Sequence, residues 1–207
     1  MAKSWLYRIL RPLATPAFKV YFRTEIEGKE HVPKRGPVIL ASVHRSYLDT
    51  PFVGLLTMRQ IHFMAKAELW ERRFSRWFCQ TIGSFPVKRG GADRSALDQA
   101  LRYLDAGEAL ALFPEGSRQE GPLVQPLHHG VAFLAQRTGA PVVPVAVAGS
   151  ERAMGLGASF PRPAKVKVRA GPALDLCVPG ARPRAREKAS DLLRSEIQRL
   201  FDELRGG

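Results

Sequence analysis

The twelve residues Val38-Ile39-Leu40-Ala41-Ser42-Val43-His44-Arg45-Ser46-Tyr47-Leu48-Asp49 carry more structural information than any other stretch of the chain. The first six are apolar or small at every position, and 38–42 read as a strand covered on both faces. Such a strand belongs inside a parallel sheet, and His44 then emerges at its carboxyl end, where open α/β sheets place their sites. Asp49 follows His44 five positions later, so a turn between them lets the two side chains meet.

Outward from this strand, similar runs at 61–65, 85–88, 109–113, 142–148 and 165–169 read as further strands. Helical spacing covers 70–81, 93–106 and 127–137, with Asp93 placed to cap its helix and Gly107 and Gly139 to stop theirs. The alternation predicts a single α/β domain over 23–207, with a mixed, largely parallel sheet flanked by helices. Residues 182–186 read as a basic, proline-containing linker. After it, Ala189, Leu193, Ile197, Leu200 and Leu204 mark a final amphipathic packing helix.

Residues 1–22 form a separate segment. Leu6, Leu10, Leu13, Ala17 and Tyr21 recur at helical spacing among Lys3, Arg8, Arg11 and Lys19. Trp and Tyr among cations describe a helix lying on an anionic membrane surface, while an ordinary core-packing helix is the alternative. The same cations interrupt the apolar run too often for a bilayer span. The whole chain of 207 residues is 45% hydrophobic, enough for a sizeable core, and its formal charge of +13 points to polyanionic partners. Cys79 and Cys177 form no metal-like or disulfide-like pattern, which fits a reducing, cytoplasmic setting.

The chemistry concentrates in three short segments. A histidine acting as a base needs one ring nitrogen free and the other held by an acceptor, and Asp49 can hold His44 in that way. The spacing alone is a weak signal, and a structural His–Asp pair shares it. No G-x-S-x-G elbow supports a serine nucleophile. H-E-x-x-H is absent and the adjacent His128-His129 cannot readily aim two rings at one ion, so no metal is expected. In the segment Gly83-Ser84-Phe85-Pro86-Val87-Lys88-Arg89-Gly90-Gly91, Lys88 and Arg89 stand between a strand and a glycine pair, a setting that suits a phosphate or a solvated loop equally. The third segment is Phe113-Pro114-Glu115-Gly116-Ser117-Arg118. It also follows a strand, and either Glu115 and Arg118 pair with each other or the turn presents backbone N–H groups and the Arg118 guanidinium to an anionic acceptor.

Taken in order with Val143-Pro144-Val145, these segments resemble the four blocks of the PlsC-like glycerolipid acyltransferases, over a region from about Glu27 to Gly149 that includes Ala65-Lys66-Ala67-Glu68-Leu69. The resemblance implies transfer of a fatty acyl group from an acyl thioester, on coenzyme A or acyl carrier protein, to the free hydroxyl of a lysophosphatidate-like acceptor, with no further cofactor. It implies His44 as base with Asp49 as its orienting partner. Lys88, Arg89, Glu115, Gly116, Ser117 and Arg118 then bind the acceptor, and the fourth block serves the donor or the architecture. Ser117 stands where the family commonly has threonine, and His128-His129-Gly130 replaces a lysine-rich pair before glycine. Glycerol phosphate or another lysolipid is the alternative acceptor. The expected partners are these two substrates and an anionic membrane surface, at the cytoplasmic face of the cell membrane. A nucleic-acid-binding module would account for the charge, but it leaves the His–Asp pair and the ordered blocks unexplained. The helical stretch containing Trp70, Arg72, Arg73, Phe74, Arg76, Trp77 and Phe78 is rich in cations and aromatics for a packing element.

Overall fold

The computed structural model describes residues 12, 15–88, 93–176 and 182–206. Strand β1 is Glu25–Glu27, β2 Val38–Ser42, β3 Ile61–Lys66, β4 Ser84–Val87, β5 Ala109–Leu112, β6 Val142–Ala148 and β7 Lys167–Ala170. The helices are α1 (Asp49–Gly54), α2 (Arg73–Thr81), α3 (Arg94–Asp105), α4 (Gly130–Thr138), α5 (Ser150–Met154) and α6 (Arg182–Gly206). The seven strands form one sheet in the order β1-β7-β6-β2-β5-β3-β4. Strands β2 to β6 are mutually parallel, and β7 joins β6 antiparallel, carrying β1 with it.

The apolar runs explain this order. All residues of β2, β5 and β6 are buried, as strands with helices on both faces must be. Strand β2 lies between β5 and β6, so the carboxyl ends of three adjacent parallel strands share one edge. Strand β7 alternates half-buried and buried positions, the pattern of a strand with one face toward water. Asp93 caps α3 by accepting from the Ala96 N–H, and Gly139 ends α4 in the left-handed region at φ 68°.

Three expectations are corrected. The stretch 182–186 is not a linker: α6 begins at Arg182, and Pro183 occupies its first turn, where a missing N–H breaks no intrahelical bond. The 70–81 helix divides into a 3-10 turn over Ala67–Trp70 and a helix starting at Arg73, because Arg72 is extended. Strand β1 and helices α1 and α5 are additions, all six residues or fewer and too short to show a period.

Of the segment 1–22, residues 1–11, 13 and 14 lie outside the described residues, as do Arg89 and Cys177. Residues 15–21 are helical, and this last part packs inward: the rings of Phe18, Phe22 and Phe52 lie 5.2–5.4 Å apart in edge and tilted contacts. Among the described residues no helix is long and apolar enough to cross a membrane.

His62, at the start of β3, is buried against Tyr103 with the rings 3.7 Å apart, and its Nδ1 lies 3.0 Å from the Gly83 carbonyl oxygen. Burial lowers its pKa from the ordinary 6.5, and the bond to Gly83 and the charge of Glu108 offset only part of that. The unfolded chain therefore binds this proton more readily, so the neutral ring's contribution is complete above about pH 6.5 and fades as pH falls below it. The urea midpoint should drop further between pH 7.5 and pH 5 in the parent than in His62→Gln. Equal drops would show that this ring does not contribute.

Candidate active site

The site is built on two buried carboxylates that grip one loop. Asp49, the first residue of α1, is fully buried. Its Oδ2 accepts from the backbone N–H groups of Arg45 at 2.6 Å and Ser46 at 2.7 Å, and lies 3.0 Å from His44 Nδ1. Its Oδ1 accepts from the Ser150 hydroxyl at 2.6 Å. A carboxylate removed from water is tolerated when its lone pairs are used in this way.

Glu115, in the loop after β5, grips the same segment from the other side. It accepts from Arg45 Nη1 at 3.0 and 2.8 Å, from the His44 backbone N–H at 3.0 Å and from the Gln125 backbone N–H at 3.0 Å. The Arg45–Glu115 ion pair is buried, with side chains 1% and 0% exposed. Arg45 Nη2 donates to the Leu123 carbonyl at 3.0 Å, and its guanidinium carbon lies 5.3 Å from the Phe201 ring centre. Glu115 thus pairs with Arg45, not with Arg118.

The His44 ring is fixed on a second side by Phe113, stacked at 4.1 Å and 19°. With Nδ1 directed at Asp49 and donating to it, Nε2 is the ring's acceptor. The His44 side chain is 12% exposed, against 0% for Asp49.

Local sequence explains how these groups converge. Ser150 is delivered by Gly149, which turns the chain out of β6 at φ 88°, with its missing Cβ position only 2.2 Å from the Lys165 carbonyl oxygen. A side chain there has no room, so the turn into α5 requires glycine. Ser46 ties the opposite side to α5 by donating to the Met154 carbonyl at 2.6 Å. Gly116 sits at φ 76° with the His128 ring 2.7 Å from where a Cβ would stand.

The sequence-predicted residues fall into two groups. His44, Asp49 and Glu115 meet around one loop, and Gly116, Ser117 and Arg118 continue from Glu115. Arg118 lies with its guanidinium carbon 3.4 Å from the Tyr47 ring centre, and its Nη1 is buried without a hydrogen-bond partner in the described structure. Ser117 and Gly116 are exposed, the Ser117 hydroxyl accepting from Gln119. Lys88 is exposed beyond β4, the edge strand, three strand spacings and so roughly 14 Å across the sheet from β2. His128 and His129 point to different partners, Gly116 and the Ser190 hydroxyl. Among the described residues no group of three or more His, Cys, Asp or Glu is placed to hold a metal ion.

Arg45, Phe113 and Ser150 were not singled out from the sequence. Arg45 and Phe113 lie within the quoted segments, yet their partners are about 70 positions away. Ser150 had one usable signal, its place just past the carboxyl end of a buried strand neighbouring β2.

The acyltransferase family model matches residues 23–148, and the chain belongs to that family. A 1-acyl-sn-glycerol-3-phosphate acyltransferase of Bacillus subtilis is 34% identical over 127 residues, 60% of this chain and 62% of that protein. A lyso-ornithine lipid O-acyltransferase of Pseudomonas aeruginosa is 27% identical over 71% of this chain and 53% of its own length. The crystal structure of the 1-acyl-sn-glycerophosphate acyltransferase PlsC from Thermotoga maritima shares the fold, with a TM-score of 0.75 at 23% identity, covering 95% of this chain and 82% of that one. The matched region thus spans less than two thirds of these two curated relatives.

Breaking one partner of a buried ion pair strands the other. Glu115→Gln and Arg45→Met should each lower stability by roughly 3–5 kcal/mol, about 10 °C in Tm for a domain of this size. The double replacement Arg45→Met with Glu115→Leu should lose less than either alone. Calorimetry showing a single-variant shift below about 2 °C would mean that the pair does not hold the loop.

Proposed function

We propose that the protein transfers a fatty acyl group from an acyl thioester to the free hydroxyl of 1-acyl-glycerol-3-phosphate, forming phosphatidate. The observation that carries this is the His44 ring held between Asp49 and Phe113 at the shared carboxyl edge of the sheet. Nε2 of His44 takes the proton of the acceptor hydroxyl as its oxygen attacks the thioester carbonyl. The tetrahedral intermediate collapses with loss of the thiolate, which recovers the proton from the imidazolium. Asp49 keeps the imidazole in the tautomer that leaves Nε2 bare and stabilises the imidazolium between the two steps.

The acceptor's phosphate is assigned to Arg118, Lys88 and Arg89, with Gly116 and Ser117 shaping the turn that leads to Arg118. A buried guanidinium nitrogen without a partner supports this for Arg118. Glu115 acts through the loop, since both its oxygens are engaged by Arg45 and by backbone N–H groups. The donor is acyl-coenzyme A or acyl carrier protein, and the segment 1–22 holds the protein on an anionic membrane surface at its cytoplasmic face. The Pseudomonas relative favours a second reading, the same transfer to a lysolipid without a phosphate monoester.

The test is a panel in which purified protein meets radiolabelled palmitoyl and oleoyl thioesters with each acceptor in turn. Label should enter phosphatidate, and His44→Ala should lower turnover by roughly 10²–10⁴ while the fold is retained. Near-parent turnover in folded His44→Ala overturns the mechanism, and preferential labelling of an ornithine lipid moves the acceptor to the second reading.

A further inference from the structure

Helix α2 turns its aromatic side away from the protein. At about 100° per residue, Phe74, Trp77, Phe78 and Thr81 fall in one arc of roughly 100°, and Ser75 and Cys79 lie opposite. Cys79 is the buried position of the helix, and Ser75 is tied back to the Leu69 and Arg72 carbonyls. Phe74 is 75% exposed, Trp77 51% and Phe78 50%. The Phe74 and Trp77 rings lie side by side with centres 6.0 Å apart. Exposed Arg72 precedes the helix and exposed Arg73 lies beside the arc, while Arg76 lies on the far side with its Nε donating to the Trp70 carbonyl, and Arg73–Thr81 contains no acidic residue.

An amphipathic helix normally buries its apolar arc and shows water its polar one. Here the aromatic arc faces outward together with exposed Arg73, Arg76 and Gln80, and a combination of Phe, Trp and Arg on the surface is that of a helix lying in the interface of an anionic bilayer. Position adds to composition. The 3-10 turn Ala67–Trp70 that leads into α2 leaves the carboxyl end of β3, the same sheet edge from which His44 leaves β2.

We propose that α2 is a membrane-docking helix: Phe74, Trp77 and Phe78 enter the headgroup boundary, and Arg72 and Arg73 meet lipid phosphates. This rests on the lipid-acyltransferase reading, and it adds a contact separate from the segment 1–22. The helix holds the carboxyl edge of the sheet against the bilayer, so a lysolipid acceptor reaches His44 without leaving the surface.

Trp77 reports on this directly. The full chain carrying Trp5→Phe and Trp70→Phe keeps Trp77 as its single tryptophan. Vesicles of equimolar phosphatidylglycerol and phosphatidylcholine with brominated acyl chains should quench Trp77 and shift its emission to the blue. Phosphatidylcholine alone, or high salt, should give much less. Phe74→Glu in the same background should weaken partitioning by about tenfold while leaving acyl transfer to a soluble short-chain acceptor unchanged. Sedimentation with the anionic vesicles without quenching of Trp77 overturns the proposal and puts the contact elsewhere. No vesicle binding overturns it too, as does a blue shift produced only by an added acidic protein such as acyl carrier protein, which makes the arc a protein interface. Transfer activity in detergent separates these outcomes from failure of the enzymatic reading, which would abolish transfer under every condition.

Discussion

A carboxylate taken fully out of water is destabilising by several kcal/mol unless donors saturate it, and Asp49 sits on that condition. Two backbone N–H groups, the Ser150 hydroxyl and the His44 ring converge on its two oxygens. The same bonds that make its burial tolerable fix the orientation of His44. Chemistry and folding are therefore not separable here. The carboxylate that gathers the loop's backbone N–H groups also holds the imidazole, which therefore has one nitrogen committed and one free.

The rest of the molecule supplies those donors from separate places. Strand β2 ends at Ser42 and hands the chain to the His44 loop, β5 brings Phe113 and Glu115, and β6 with its Gly149 turn brings Ser150. Only a parallel arrangement of these three strands puts all their carboxyl ends on one edge, which is why a central, fully apolar β2 matters to the site as well as to the core. Glu115 completes the arrangement. By binding Arg45 and the His44 N–H together, it holds the backbone whose side chain Asp49 orients.

Much of this was legible in the residues, for physical reasons. The strands β2 and β6 match their apolar runs to the residue, because burial on both faces leaves no polar position to blur the ends. Asp93 and Gly139 mark helix ends because capping chemistry is local. The His44–Asp49 contact was readable because both members lie on one turn. The Arg45–Glu115 pair and the Ser150 hydroxyl were not, since they join segments 70 and 101 positions apart and only the sheet order brings them together. Strand β1 and helices α1 and α5 are too short for periodicity to register, and the basic stretch 182–186 hid the start of α6 behind a proline that a first helical turn accepts. The outward face of α2 also needed the structure: its composition was visible, but the direction of its aromatic arc was not.

The central claim is that Asp49 commits Nδ1 of His44 and leaves Nε2 as the free acceptor. Nitrogen-15 NMR of histidine-labelled protein, with the His44 signals assigned by their loss in His44→Gln, measures this without any assay. In the neutral ring the proton should sit on Nδ1 with Nε2 unprotonated, and Asp49→Asn should move the ring toward the opposite tautomer. A neutral parent ring with its proton on Nε2, or a tautomer unaffected by Asp49→Asn, would contradict the claim.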